Sequence, residues 1–398
     1  MPATTANPFR LALYWLGIQA IWGALLGISL QSRSIELAGA AALIWYGRLA
    51  TGGALVAAAT QVAVGIWSDS RRKRNSRRME FYVFGALAGA AAIAAFYDAR
   101  TLLQLAGAFF ALQLALNVAS GPYQAIIPDF VERARVGRAS SWMAALQSAG
   151  NAVGALAASF IAPARLLAAT LGALLLATCA ATTLHVRVLT LRAVAEPARI
   201  RITRPFVDLF ISRALMYVGF YTLLGYLLFY VTSVFGASSL EAARRQTGIL
   251  IVSFTLIGAL GAAVAARPSD RLDKRLVATA GAAAFIVALG CFIAAHTLPG
   301  VVAATLLAGL GWGIFLVADW AIACRVLPQG AMAAAMGVWN LAIVVPQIIA
   351  PALTTAVLQR LGYANSSGGA RVAFVLALGE TLLGAAWLWR LSRSAIGE

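Results

Sequence analysis

The chain has 398 residues and a formal net charge of +17, from 31 Lys and Arg against 14 Asp and Glu. Charge of that sign would suit a nucleic-acid binder, but 61% of the residues are hydrophobic and only 11% charged, where a soluble domain carries about a quarter charged. With a mean hydropathy of +0.83 the composition excludes a soluble fold. The nucleic-acid reading goes with it, because no polar segment is long enough to make a binding module.

The N-terminal stretch "MPATTANPFRLALYWLGIQAIWGALLGISL" has an apolar run too long for a signal peptide and no convincing small-residue cleavage site, so it reads as a first spanning helix. A span needs about 20 apolar residues, and about twelve such stretches follow one another. The first six are Pro8–Leu30, Ala38–Trp67, Met79–Tyr97, Leu102–Ile127, Ala139–Ala162 and Arg165–Leu191. The second six are Pro205–Phe235, Thr247–Ala266, Leu276–His296, Pro299–Val326, Met332–Leu358 and Ala370–Leu391. Loops are short except for "RAVAEPARIRITR", Arg192–Arg204. The expected fold is an all-α polytopic membrane protein of twelve transmembrane helices in two six-helix pseudo-repeats. Residues 1–191 form one bundle, 192–204 a basic linker and 205–398 the second bundle.

With the N-terminus on the cytoplasmic side, roughly 22 of the 31 basic residues face the cytoplasm, the bias of the positive-inside rule. Both termini are therefore expected there. The densest group, six basic residues in Arg71–Arg78 within "GIWSDSRRKRNSRRMEF", sets topology and faces anionic headgroups. Cys179, Cys291 and Cys324 are far apart and lie in or beside apolar stretches, and the two histidines, His185 and His296, are isolated. No metal-ligand spacing, phosphate loop or nucleophile-base motif is present, so neither an enzyme nor a metal or cofactor site is expected.

The halves echo one another at an offset near 201: "GIWSDSRRKR" after helix two recurs as "ARPSDRLDKR" after helix eight. A weaker echo sets "GRASSWMAALQSAGNAVGA" from Gly137 against "MAAAMGVWNLAIVVPQIIAP" from Met332. Parallel six-helix repeats are a transporter architecture, with the substrate site near the midplane.

The Gly-x-x-x-Asp loop with trailing basic residues between helices two and three resembles the signature loop of the major facilitator superfamily. "GIWSDSRRKRNSRRMEFYVFGA" (Gly65–Ala86), "GPYQAIIPDFVERARVGRASSWM" (Gly121–Met143) and "GVWNLAIVVPQIIAP" (Gly337–Pro351) are similar to its glycoside-pentoside-hexuronide and sucrose-transporter branch. The chain departs from that pattern in four ways. Ser70 and Ser76 replace a usual Arg and Gly. Gln61 and Ala57 stand where sodium-coupled members carry aspartates, and Gln113 where proton-coupled sucrose carriers have an acid. The resemblance implies a cytoplasmic latch of Asp69 with Arg77 and Arg78, with Asp270 and Arg271 (beside Arg275) as its counterpart; a solvated loop that only sets topology is the simpler alternative.

Charge within a span costs about 2.5–3.5 kcal/mol even on the lenient insertion scale, which singles out Arg48, Arg213, Asp319 and Glu380. Arg48 and Arg213 could snorkel to the interface. Glu380 sits mid-span, and Asp319 lies seven residues after Trp312 and so on the same face. Polar and aromatic stripes recur at helical spacing: Trp15, Gln19 and Trp22; Gln113, Asn117 and Gln124; Gln147 and Asn151; Arg213, Tyr217, Phe220 and Tyr221; Trp339, Asn340 and Gln347. Such sets serve ordinary helix-helix bonding or a solute cavity, and aromatic faces with hydroxyl partners suit sugar rings.

The expected function is secondary active transport of a small polar solute, a sugar or glycoside, by alternating access in the cytoplasmic membrane of a prokaryote. The expected coupling ion is a proton rather than sodium, carried by Asp319 and Glu380. Membrane lipids and the solute are the expected partners, nucleic acid is not, and one chain holding both halves is expected to act as a monomer. Two alternatives stay open: an exporter of amphipathic or hydrophobic compounds, and a non-transporting membrane assembly factor on the same fold.

Overall fold

The computed structural model describes residues 6–73, 78–131, 136–190, 203–234, 239–326, 332–364, 366 and 368–391. Every regular element among them is helical. Helix one starts at Pro8, where Asn7 caps it by accepting from the Phe9 and Arg10 N–H groups, and it passes through a π-helical turn at Leu25–Ser29. Hydropathy predicted a loop between Leu30 and Ala38, but these residues continue the helix as Leu30–Ala38. The Ser34 hydroxyl donates to Leu30 O at 2.8 Å and Arg33 pairs with Glu36, so local bonds carry the helix past its apolar stretch. Gly39, at φ +54°, ends it in a backbone region costly for any side chain. After the short 3₁₀ turn Gly39–Ala41 comes helix two, Ala42–Lys73.

Helix three is Met79–Asp98, four Leu102–Tyr123, five Val136–Phe160 and six Ala164–Arg187, with a short helix Ile126–Phe130 after four. Helix seven is Arg204–Val234, eight Leu240–Arg271, nine Lys274–Ala294, ten Leu298–Val326, eleven Met332–Arg360 and twelve Gly369–Leu388. Ten helical stretches are long and apolar enough to cross a membrane, the first of them, Pro8–Ser68, holding helices one and two. Helix five, interrupted by Ser140, Ser141, Gln147 and Asn151, is the one long helix outside that set among the described residues. Hydropathy placed the start of helix eight at Thr247. The helix begins seven residues earlier, where Ser239 accepts from Ala242 N at 3.1 Å and Glu241 pairs with Arg245 at 2.6 Å.

The helices assemble into two compact units, Met1–Ala42 with Gly52–Ala195, and Leu43–Thr51 with Glu196–Glu398. Helix two thus contributes to both. In the first unit helix one packs on helices five and six, and helix three on four and six. Tyr123 closes the core here: its ring lies 5.2 Å from those of Tyr14, Trp15 and Tyr82, and its hydroxyl donates to Leu11 O. In the second unit helix seven packs on eleven and twelve, and helix ten on eight and nine. The stretch 43–51 of helix two belongs to this unit through Tyr46, which meets Tyr226 and Phe229 edge-on at 5.5 Å. Helices nine and ten approach so closely that a Cβ on Gly281 would lie 2.5 Å from Phe315 N. With no hydrophobic drive between helices in lipid, close backbone approach at small residues supplies the packing.

Candidate functional site

The buried polar groups of the second unit gather around Arg213 on helix seven. Two turns past Pro205, Arg213 was within snorkelling reach of the interface on sequence, or could face a cavity. The side chain turns inward, is 4% exposed, and pairs with Asp319 of helix ten, itself 1% exposed. The guanidinium sits over the rings of Tyr217 and Trp339, at 5.1 and 4.7 Å to their centroids. Both rings offer their negative faces to the cation. Tyr217 in turn meets Trp312 edge-on at 5.1 Å, and Trp312 stacks on Phe220 at 4.6 Å with the planes 12° apart. The helical spacing explains the alignment: Arg213, Tyr217 and Phe220 recur at four and three residues on helix seven, and Trp312 and Asp319 at seven on helix ten.

Two donors in this cluster, Arg213 Nε and Trp339 Nε1, are buried and have no acceptor among the described residues. A second polar group lies further along helix seven. Glu380 of helix twelve is buried, accepts a 3.1 Å bond from the Thr222 hydroxyl through Oε2, and leaves Oε1 without a partner among the described residues. Thr222 also meets Thr354 of helix eleven at 3.3 Å. Between these groups in the sequence of helix seven, Tyr221 accepts from Gln347 Nε2 at 2.7 Å.

The first unit carries an uncharged polar chain. Gln61 of helix two donates to Asn117 Oδ1 at 2.7 Å, and Asn117 donates to Gln113 O at 2.7 Å and Gln113 Oε1 at 3.3 Å. Gly53 lets helix two come this close, since a Cβ there would lie 3.0 Å from Gln113 Nε2.

The structure therefore brings together Arg213, Tyr217, Asp319 and Trp339 in one cluster and Gln113 and Asn117 in another, with Gln347 joined to Tyr221. Trp15 is buried against Tyr123, and Gln19, Trp22 and Gln147 are half-buried. Gln124 and Asn151 are exposed and stand apart from both clusters. The side chains of Asp69, Asp270 and Asn340, and the whole of Arg77, lie outside the described residues. Arg78 is buried and pairs with Asp129 of the short helix after helix four at 3.5 Å. Arg271 is exposed, while Arg275 pairs with Asp273 at 2.8 Å and donates to Leu391 O at 2.7 Å. Arg48 is exposed and lies over the Trp45 ring at 5.4 Å.

Sequence reasoning missed Asp129, although it stands in the quoted "IIPDF". It also missed Thr222 and Thr354, which nothing distinguishes from the many hydroxyls that bond back to their own helix. Gln61 was read as a replaced acid and turns out to anchor the Asn117 chain.

A family model described as Major Facilitator Superfamily matches residues 9–351 and 209–397. A comparison with curated protein sequences returns no match. Among solved structures, the chain is similar to a bacterial homologue of the human lysosomal transporter Spinster, with TM-score 0.77, 15% identity and 97% of each chain covered. It is similar as well to a D-xylose–proton symporter, with TM-score 0.70, 14% identity and 98% of each chain covered. The nucleoside transporter NupG aligns with TM-score 0.67 and 13% identity, over 97% of this chain and all of that one. At such identities the likeness is one of fold.

Proposed function

The chain belongs to the major facilitator superfamily, and on that footing we propose that it carries a small polar solute across the membrane by alternating access, coupled to protons. The observation that carries this reading is the Arg213–Asp319 pair, buried within an aromatic frame in a membrane-spanning bundle. A charged pair so placed is costly to desolvate, and apolar side chains of similar volume often serve stability as well or better. Ionisable residues inside a span are functional by default. Asp319 and Glu380 are the proton carriers in this reading, since Gln61 and Gln113 occupy the positions where the resembled branch keeps its acids. The Gln61–Asn117–Gln113 chain offers amide partners of the kind that sugar hydroxyls use. Sequence resemblance to the glycoside and sucrose branch points to a sugar or glycoside. The basic bias of alternate loops puts both termini in the cytoplasm of a prokaryotic cell, with Asp69, Arg77, Arg78, Asp270 and Arg271 acting at that face. In the latch, Arg78 has Asp129 as a partner.

The test is uptake of a labelled panel of neutral and carboxylate-bearing disaccharides into proteoliposomes, with and without an inward proton gradient. Gradient-driven accumulation is expected, and Glu380→Gln is expected to abolish accumulation while leaving solute exchange. Saturable uptake that never exceeds equilibrium would remove proton coupling from the reading.

An exporter of amphipathic compounds is the second reading, favoured by one observation. Phe220, Trp312, Tyr217, Phe254 and Phe285 form a continuous aromatic wall that adjoins the charged pair at Tyr217. Preference for lipophilic cations over sugars in a binding screen would select it.

A further inference from the structure

We propose that the solute carries a carboxylate, and that Asp319 occupies the Arg213 box in its place until it takes up a proton. The inference rests on the transport reading above and narrows it from polar solutes to organic anions. Arg213 is the fixed element. Its guanidinium lies over Tyr217 and Trp339 and, among the described residues, meets one carboxylate, that of Asp319. A guanidinium presents five N–H donors in a fork that matches a carboxylate. Here Nε remains without an acceptor among the described residues, and the neighbouring indole Nε1 of Trp339 is a second buried donor in the same condition. The cluster is thus short of acceptors and rich in donors and ring faces.

Charge accounting points the same way. Arg213 and Asp319 neutralise each other as they stand. The groups that face the pair from helix seven are the phenols of Tyr217 and Tyr221, and helix eleven presents the Trp339 indole. Protonation of Asp319 would leave the guanidinium buried at 4% exposure with no other anion among these groups. A buried charge deprived of its partner is strongly unfavourable. A neutral hydroxylated solute cannot offset that loss; a carboxylate can, by restoring the pair in the same geometry. Proton entry at Asp319 and anion entry at Arg213 are then one coupled event, and the aromatic wall supplies the platform for the rest of the solute.

The experiment measures thermal stabilisation of the detergent-solubilised full chain by pairs of compounds that differ chiefly by a carboxylate. The pairs are glucuronate and glucose, lactate and lactamide, and benzoate and benzamide, each at mildly acidic and mildly alkaline pH. The expected result is a shift from carboxylates and none from their neutral partners, larger at acidic pH. Asp319→Asn is expected to keep the shift and lose its pH dependence, and the charge-free Arg213→Gln/Asp319→Asn double variant to lose the shift. Equal shifts within pairs, no carboxylate shift in any pair, or a carboxylate shift that survives in the double variant overturns the proposal. Carboxylate binding without flux of any pair in proteoliposomes would overturn the transport reading and leave this one standing. Flux of neutral members alone does the reverse.

Discussion

Arg213 and Asp319 are 106 residues apart in sequence and form a pair that neither helix could tolerate alone. Each is affordable in a span only because the other is there, so single substitutions and the double should behave very differently. Arg213→Gln strands the Asp319 carboxylate in a buried site and is expected to cost about 3–5 kcal/mol of stability. Adding Asp319→Asn should recover most of it, as read by unfolding of the solubilised protein; additive losses would mean that the two do not interact. Tyr226 gives the contrast. Its 2.9 Å bond to Thr355 is neutral to neutral, and Tyr226→Phe should cost only about 0.6 kcal/mol, the average for such bonds between membrane helices. At this scale the sequence was partly legible. The cost of charge in lipid marked Arg213, Asp319 and Glu380 one by one. No local pattern could join Arg213 to Asp319, because the pairing depends on which faces helices seven and ten turn to each other. Asp129 escaped notice because it lies just beyond the expected span Leu102–Ile127, where a charge needs no special explanation.

Helices nine and ten show how an element is placed by what it lacks. Gly281 faces Phe315 N and Gly311 O across the contact, with a virtual Cβ at 2.5 and 2.8 Å, whereas Gly290 on the same helix has open space around it. Gly281→Ala should therefore push the helices apart and cost about 1–3 kcal/mol. Gly290→Ala should be neutral or stabilising by up to about 1 kcal/mol through helix propensity. Melting both variants in the same detergent checks the difference, and equal effects would contradict the packing described. Hydropathy located the spans well but not the helix ends. Helices one and eight both run beyond their apolar stretches, through Ser34 and Arg33–Glu36 in one case and the Ser239 cap in the other. Hydropathy reports the lipid boundary, while a helix ends where its backbone hydrogen bonds end, and the two need not coincide.

Across the whole chain the dominant constraint is the distribution of positive charge. With Arg71–Arg78 and the Arg192–Arg204 linker on the cytoplasmic side, as proposed, a cysteine at Ala198→Cys should resist a membrane-impermeant maleimide in intact cells, on a background lacking Cys179, Cys291 and Cys324. Glu241→Cys, at the exposed start of helix eight, should be labelled. Labelling in the opposite sense would invert the topology and with it the assignment of the Arg78–Asp129 end to the cytoplasm.

Composition and hydrophobic periodicity by themselves determined that this chain spans a membrane many times, because lipid leaves a backbone no partners except its own and so admits few architectures. Apolar run length carried the reading to twelve helices, and the resemblance of the Gly65–Ala86 loop to a known signature carried it to a superfamily. Which polar residues meet was decided only by the tertiary structure. On sequence alone Arg213 could have reached for the headgroups or turned into the bundle. The rotation of helix seven about its axis turns it inward onto Asp319, Tyr217 and Trp339. Helix seven is held in that rotation by close approach to helix twelve, where a Cβ on Gly219 would lie 2.9 Å from Ala377 O.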